Sequence, residues 1–154
     1  MIRRAEQGFT LLELLLVLVV IGSVLGMVGL NTLQDESREA RQQARGVVDL
    51  MFLGRQSAVL EGREYGLCIL QGRIRLMRWQ GVTWQPHGQG LFTDLDLQLQ
   101  MDGRRLRLPE HCVEPQVLIS SSDEVAAFTL QFERKGQRLA SVVSDGLDDL
   151  HSDG

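Results

Sequence analysis

Glu13 is the one charged residue in an apolar run that extends from Phe9 to Leu30. A charge near the centre of a membrane helix costs roughly 2.5–3.5 kcal/mol on insertion scales, and less near an end. Crossing a bilayer does not require that carboxylate, so Glu13 reads as a functional residue in need of a cationic partner. The same run holds Gly22-x-x-x-Gly26, a spacing that lets helix backbones approach closely. The chain has two cysteines, Cys68 and Cys112. A bridge would close a loop of about 43 residues and stabilise by roughly 3–4 kcal/mol. Two separate buried thiols are the simpler reading of a single pair, and both alternatives stay open. His87, His111 and His151 lack zinc-ligand spacing, so no metal or other cofactor is expected. Gly-x-Ser-x-Gly, His-Glu-x-x-His and phosphate-loop motifs are absent from the sequence, and Asp94 and Asp96 resemble an ordinary solvated pair. A non-enzymatic role is expected.

The elements that carry these residues follow from hydropathy and period. The 22 residues from Phe9 to Leu30 would span roughly 33 Å as a helix, close to the hydrocarbon thickness of a bilayer. Arg3 and Arg4 precede them and favour a cytoplasmic N-terminus. A secretory signal peptide would have a shorter apolar core and an Ala-x-Ala site after it, and neither is present. From Asn31 the composition turns charged, but Ala40, Ala44, Val47, Met51, Gly54 and Ala58 keep a helical stripe. No proline occurs before Pro86, so one helix from Phe9 to about Glu61, roughly 80 Å long, is expected, with Gly62 ending it.

After Gly62 the period becomes two. Leu67 and Ile69, Ile74 and Leu76, Leu95 to Met101, Leu106 and Leu108, Val117–Ile119, Val125–Phe132 and Leu139–Val143 predict six or seven antiparallel strands. Asp102-Gly103 and Lys135-Gly136 mark hairpins. Residues 83–90 read as a loop, and the acidic tail with Asp145, Asp148, Asp149 and Asp153 reads as a solvated, frayed terminus. The expected class is α+β, with a long N-terminal helix on an antiparallel β region. Net charge is −4, and −5 without residues 1–8, which gives no general attraction to nucleic acid.

The contiguous stretch Gly8-Phe9-Thr10-Leu11-Leu12-Glu13 resembles the processing signal of type IV pilins and type II secretion pseudopilins. The resemblance implies that a prepilin peptidase cuts between Gly8 and Phe9 and N-methylates Phe9. It also implies that Glu13 pairs with the Phe9 amine of a neighbouring subunit. An ion pair buried in an apolar bundle fixes register, whereas a lone charge there is costly. Ser121-Ser122-Asp123-Glu124-Val125-Ala126-Ala127-Phe128 is similar to the Ser-Ser-Gly-Glu-Val-Thr-Pro-Phe stretch of H-class minor pseudopilins (general secretion pathway protein H), departing at Asp123, Ala126 and Ala127. Gly54-Arg55-Gln56-Ser57-Ala58 is similar to that family's Ala-Arg-x-x-Ala region.

The organisation implied is a leader (1–8), a membrane half-helix (9–30), an amphipathic half-helix (31–62), a periplasmic β-domain (63–146) and an acidic tail (147–154). The implied setting is the bacterial inner membrane, with a cytoplasmic N-terminus. Implied partners are the prepilin peptidase, the major pseudopilin, other minor pseudopilins and the inner-membrane secretion platform. The family function is that of a structural subunit of the periplasmic pseudopilus, linking its tip complex to its shaft, in the export of folded proteins across the outer membrane. The rival is a minor pilin of a type IV pilus that binds DNA through Arg73, Arg75 and Arg78 or through Arg104, Arg105 and Arg107. Negative net charge and few aromatic residues favour solvated arginines instead.

Overall fold

A computed structural model describes residues 10–146 and 150–153, with 27–34 and 150 described by backbone alone. The leader, Gly8 and Phe9 therefore lie outside the described residues, as do the side chains that complete the expected membrane segment after Gly26. Among the described residues no helix is long and apolar enough to cross a membrane.

The helix α1 runs from Leu11 to Glu61. Thr10 caps it: the Glu13 amide donates to the Thr10 carbonyl at 3.0 Å and lies 3.4 Å from Thr10 Oγ1. At the other end Gly62 takes φ +62°, and the Arg63 amide donates to the Ala58 carbonyl at 3.2 Å. That is a glycine-closed helix terminus, which satisfies a carbonyl left over by the last turn. Two units divide the chain, residues 1–36 and 37–154.

In the second unit the expected stripe is the buried one. Ala40, Ala44, Val47, Met51 and Ala58 are fully buried. Small residues here bring the helix close to the strands. A Cβ built on Gly54 would lie 2.7 Å from Ile119 Cδ1 and 2.9 Å from Leu76 Cδ1.

The antiparallel β region forms two sheets. The first contains β1 (Tyr65–Leu70), β2 (Arg73–Trp79), β3 (Trp84–Pro86), β4 (Leu91–Phe92) and β7 (Val117–Ile119), in the order β3-β2-β1-β7, with β4 also on β2. The second contains β5 (Asp96–Met101), β6 (Arg104–Leu106), β8 (Phe128–Arg134), β9 (Gln137–Ser144) and β10 (Leu150–Asp153), in the order β10-β9-β8-β5-β6. All pairings are antiparallel. Leu67, Ile69, Ile74 and Leu76 of one sheet and Leu97, Leu99, Leu130 and Phe132 of the other join the helix stripe in one core. Asp102-Gly103 and Lys135-Gly136 both have two positive φ values, as two-residue hairpin turns of this twist require. Gln71 ties the sheets together. Its Nε2 donates to the Leu97 carbonyl at 3.0 Å, and its Oε1 accepts from the Leu97 amide at 3.2 Å.

Two expectations are corrected, and one open alternative is resolved. Residues 84–86 of the expected loop form β3, because Trp84 to Pro86 can pair with Met77 to Trp79. The expected frayed tail returns as β10, whose Leu150 to Asp153 pair with Ser144 to Ser141 and extend the second sheet. Of the two alternatives left open for Cys68 and Cys112, the structure has the bridge, with Cα atoms 6.1 Å apart.

The bridge accounts for a pattern that alternation alone does not explain, since β1 is buried on both faces from Tyr65 to Ile69. Tyr65, Leu67 and Ile69 face the core. Gly66 and Cys68 face outward and are covered by the segment that holds Cys112, Pro115 and Gln116. A Cβ on Gly66 would lie 2.5 Å from Pro115 Cγ and 2.9 Å from the Val117 carbonyl. The Gln116 amide donates to the Ile69 carbonyl at 3.0 Å and accepts from the Ile69 amide at 2.9 Å. Serine at both Cys68 and Cys112 is expected to lower unfolding free energy by about 4 kcal/mol, the loop-closure value for this span, as read from urea titrations. Gly54→Leu is expected to cost about 1–3 kcal/mol through overpacking against Ile119 and Leu76 in the same titration.

Candidate assembly surface

In the first unit, apolar side chains surround the helix and are exposed. Leu11 is 82% and Leu25 69% accessible, with Leu14 to Val20 between them also exposed. Glu13 lies exposed in the first turn, three residues after Thr10, where a carboxylate complements the unpaired amides and the helix dipole. Thr10-x-x-Glu13 is thus also a helix-start signal, which a reading of Glu13 as a membrane charge overlooks. Its expected partner, the Phe9 amine, lies outside the described residues. Gly22 and Gly26 are exposed, and a Cβ on either would meet nothing within 4 Å. Ser23, between them, bonds back to the Val19 carbonyl at 2.8 Å, which satisfies its hydroxyl within the helix.

The second unit also presents an apolar patch outside the buried stripe. Phe52 is 69%, Val59 52% and Leu60 77% exposed. At 3.6 residues per turn Phe52 and Val59 flank the buried stripe, about 100° round from Met51 and Ala58, and Leu60 lies on the far side. With Arg55, Gln56 and Asp123 they line an open groove of about 410 Å³. The available signal was the spacing Phe52, Val59, Leu60, which is a second helical period superposed on the first.

Asp123 connects this patch to the β-domain. Arg55 Nε donates to Asp123 Oδ1 at 2.8 Å, and a second guanidinium nitrogen donates to Oδ2 at 3.0 Å. The planar fork matches both carboxylate oxygens. Asp123 has φ +69°, in the left-handed region where glycine is at ease and aspartate is better tolerated than most residues. The loop around it is closed by the Ser120 amide donating to Glu124 and by the Asp123 amide donating to Ser120. Asp123 thus occupies a conformation that suits glycine and adds an ion pair to the helix. The Arg55 hydrogen bond holds the Asp123 carboxyl below its ordinary value of 3.8. At the helix end Glu61 pairs with Arg78 at 3.5 Å beside Tyr65, whose phenol is pushed above 10.0 by burial and then by Glu61.

The two arginine sets of the rival reading lie in different sheets, and the first of them is divided. Arg78 turns to Glu61, whereas Arg73 stacks over the Phe92 ring at 4.6 Å. Arg104 and Arg105 are exposed on β6, in the other sheet.

A long helix from Leu11, whose second half packs on a two-sheet antiparallel β-domain, has the architecture of a pilin-like subunit. A family model described as the prokaryotic N-terminal methylation motif matches residues 3–29. The chain is 32% identical to type II secretion system protein H of Pseudomonas aeruginosa, over 93% of each chain. It is 29% identical to the protein of the same name from Pectobacterium carotovorum, over 90% of this chain and 87% of that one. The fold matches the minor pseudopilin EpsH of the Vibrio cholerae type 2 secretion system with a TM-score of 0.62, at 21% identity, over 74% of this chain and 94% of that one. The solution structure of E. coli GspH matches with a TM-score of 0.60, at 20% identity, over 77% of this chain and 89% of that one. The chain belongs to the type II secretion system protein H family.

The depressed Asp123 carboxyl sets an acid limit. A folded value below the unfolded one contributes stability that is present above about pH 3.8 and is lost as pH falls through the folded value. Thermal melts from pH 5 down to pH 2.5 should therefore converge for the wild type and Asp123→Asn as the acid limit is reached, after a difference at pH 5.

Proposed function

We propose that this chain is a minor pseudopilin that inserts through residues 9–30 into the bacterial inner membrane with its β-domain in the periplasm. The prepilin peptidase cleaves it after Gly8 and methylates Phe9. It then joins the major pseudopilin and other minor pseudopilins, as the link between the tip complex and the shaft of the pseudopilus. The carrying observation is that one helix exposes large apolar residues in both units, Leu11 to Leu25 in the first and Phe52, Val59 and Leu60 in the second. Side chains of this size gain free energy only when another apolar surface covers them, at roughly 25 cal/mol per Å². Neighbouring helices of a filament supply such cover.

Within the bundle, Glu13 pairs with the methylated amine of Phe9 on the next subunit and sets axial register. Gly22 and Gly26 lie four residues apart and so share one helix face, the spacing that permits close helix approach. Such approach relies on small residues and close van der Waals packing, because lipid provides little hydrophobic drive between helices. The chain carries no nucleotide motif, so movement of the filament draws on the inner-membrane secretion platform.

Glu13→Ala should leave cleavage at Gly8 intact, as read by mass spectrometry, while reducing the amount cross-linked into the pseudopilus. Normal incorporation and secretion by that variant would rule out the pairing role. Phe52→Glu with Leu60→Glu should leave the melt of the purified protein within about 1 kcal/mol of wild type, since both positions are exposed, yet lower secretion. Full secretion by the double variant would remove the patch from the assembly surface.

A further inference from the structure

The outer face of the first sheet carries a groove of about 500 Å³ lined by Glu64, Trp79, Trp84, Glu114, Pro115 and Leu118. Strand register places these residues together. The Trp79 amide donates to the Glu64 carbonyl at 2.9 Å, Trp79 lies opposite Trp84, and Leu118 lies opposite Gly66. The two indoles sit 5.4 Å apart at 56°. Pro115 forms the floor by lying on Gly66, where a side chain would collide with it. The bridge from Cys68 to Cys112 anchors the segment that carries Glu114 and Pro115, so the groove is formed before anything enters it.

Its chemistry is specific. Both tryptophans are half-buried, and Leu118 is 47% exposed. Glu64 and Glu114 are exposed, and neither forms an ion pair among the described residues. Arg75 shares this face by register, but it lies four residues along β2 from Trp79, about 13 Å away in an extended strand. An indole face attracts a cation more strongly than any other side-chain ring. Two carboxylates beside two indoles and a proline therefore favour a group with an apolar stem and a positive, planar head. A purely apolar occupant would desolvate both carboxylates without replacing their water.

We propose that this groove docks an arginine side chain presented by an apolar-flanked segment of a partner protein. The guanidinium stacks on the indoles and meets Glu64 and Glu114, while its methylenes lie against Pro115 and Leu118. An arginine seated among aromatic rings in a preformed pocket is the usual form of a binding hot spot. The inference rests on this groove alone and not on the assembly role proposed above.

Trp79 and Trp84 are the only tryptophans in the chain, so indole emission reports on the groove directly. The full chain in lipid nanodiscs would be titrated with the peptide acetyl-Leu-Arg-Leu-amide and with its citrulline counterpart, which keeps the shape and loses the charge. The expected result is a saturating emission change with the arginine peptide. Affinity should be at least about tenfold weaker for citrulline, and about tenfold weaker in Glu64→Gln with Glu114→Gln, as loss of a cation–π contact and its charge partners implies. Equal affinity for the two peptides, an unchanged affinity in the double variant, or no saturation up to millimolar peptide would overturn the proposal. Concentration-dependent self-association in sedimentation, abolished by Glu64→Gln with Glu114→Gln, would assign the groove to a second copy of this chain and overturn the partner reading.

Discussion

The closeness of α1 to the first sheet is the constraint on which the β-domain depends. Ala40, Ala44, Gly54 and Ala58 leave so little bulk on the inner helix face that Leu76 and Ile119 reach the helix backbone at Gly54. Only Val47 and Met51 of that stripe carry larger side chains, and both are fully buried in the shared core. Protein interiors are packed as densely as organic crystals, so a helix seated this closely fixes where each strand can lie. The sheets then meet through Gln71, whose amide stands in for one backbone pair with Leu97.

The same economy of side chains governs the outer face of the first sheet. Gly66 admits Pro115, Gln116 copies a strand partner for Ile69, and the bridge at Cys68 holds the covering segment down. A strand that would otherwise have one wet face becomes buried on both. The cover stops short of Trp79, Trp84 and Leu118, which leaves the groove at the margin between covered and open sheet.

One helix serves two environments. Along its first unit the apolar residues lie all round, whereas along its second they form a buried stripe and a separate exposed patch. Arg55 sits at the boundary of that patch and fixes the loop at Asp123 to the helix. The helix, the loop and the sheet edge are therefore presented as one surface to whatever covers Phe52 and Leu60. Family membership in type II secretion system protein H fits a chain whose largest apolar surfaces are directed outward.

The sequence by itself determined what local rules can decide. The helix and its end at Gly62 follow from period, absence of proline and a glycine able to take positive φ. The hairpins at Asp102-Gly103 and Lys135-Gly136 follow from turn chemistry, and the buried stripe from spacing by three and four. The motif at Gly8 to Glu13 is contiguous, so it was legible without any fold. Only the tertiary structure decided the division into two sheets, the bridge, and the return of Leu150–Asp153 to β9, because each depends on residues far apart in the chain. The Arg55–Asp123 pair and the Trp79–Trp84 groove were illegible for the same reason. An arginine at one position and an aspartate 68 residues later carry no mutual signal until packing brings their charges within hydrogen-bond reach.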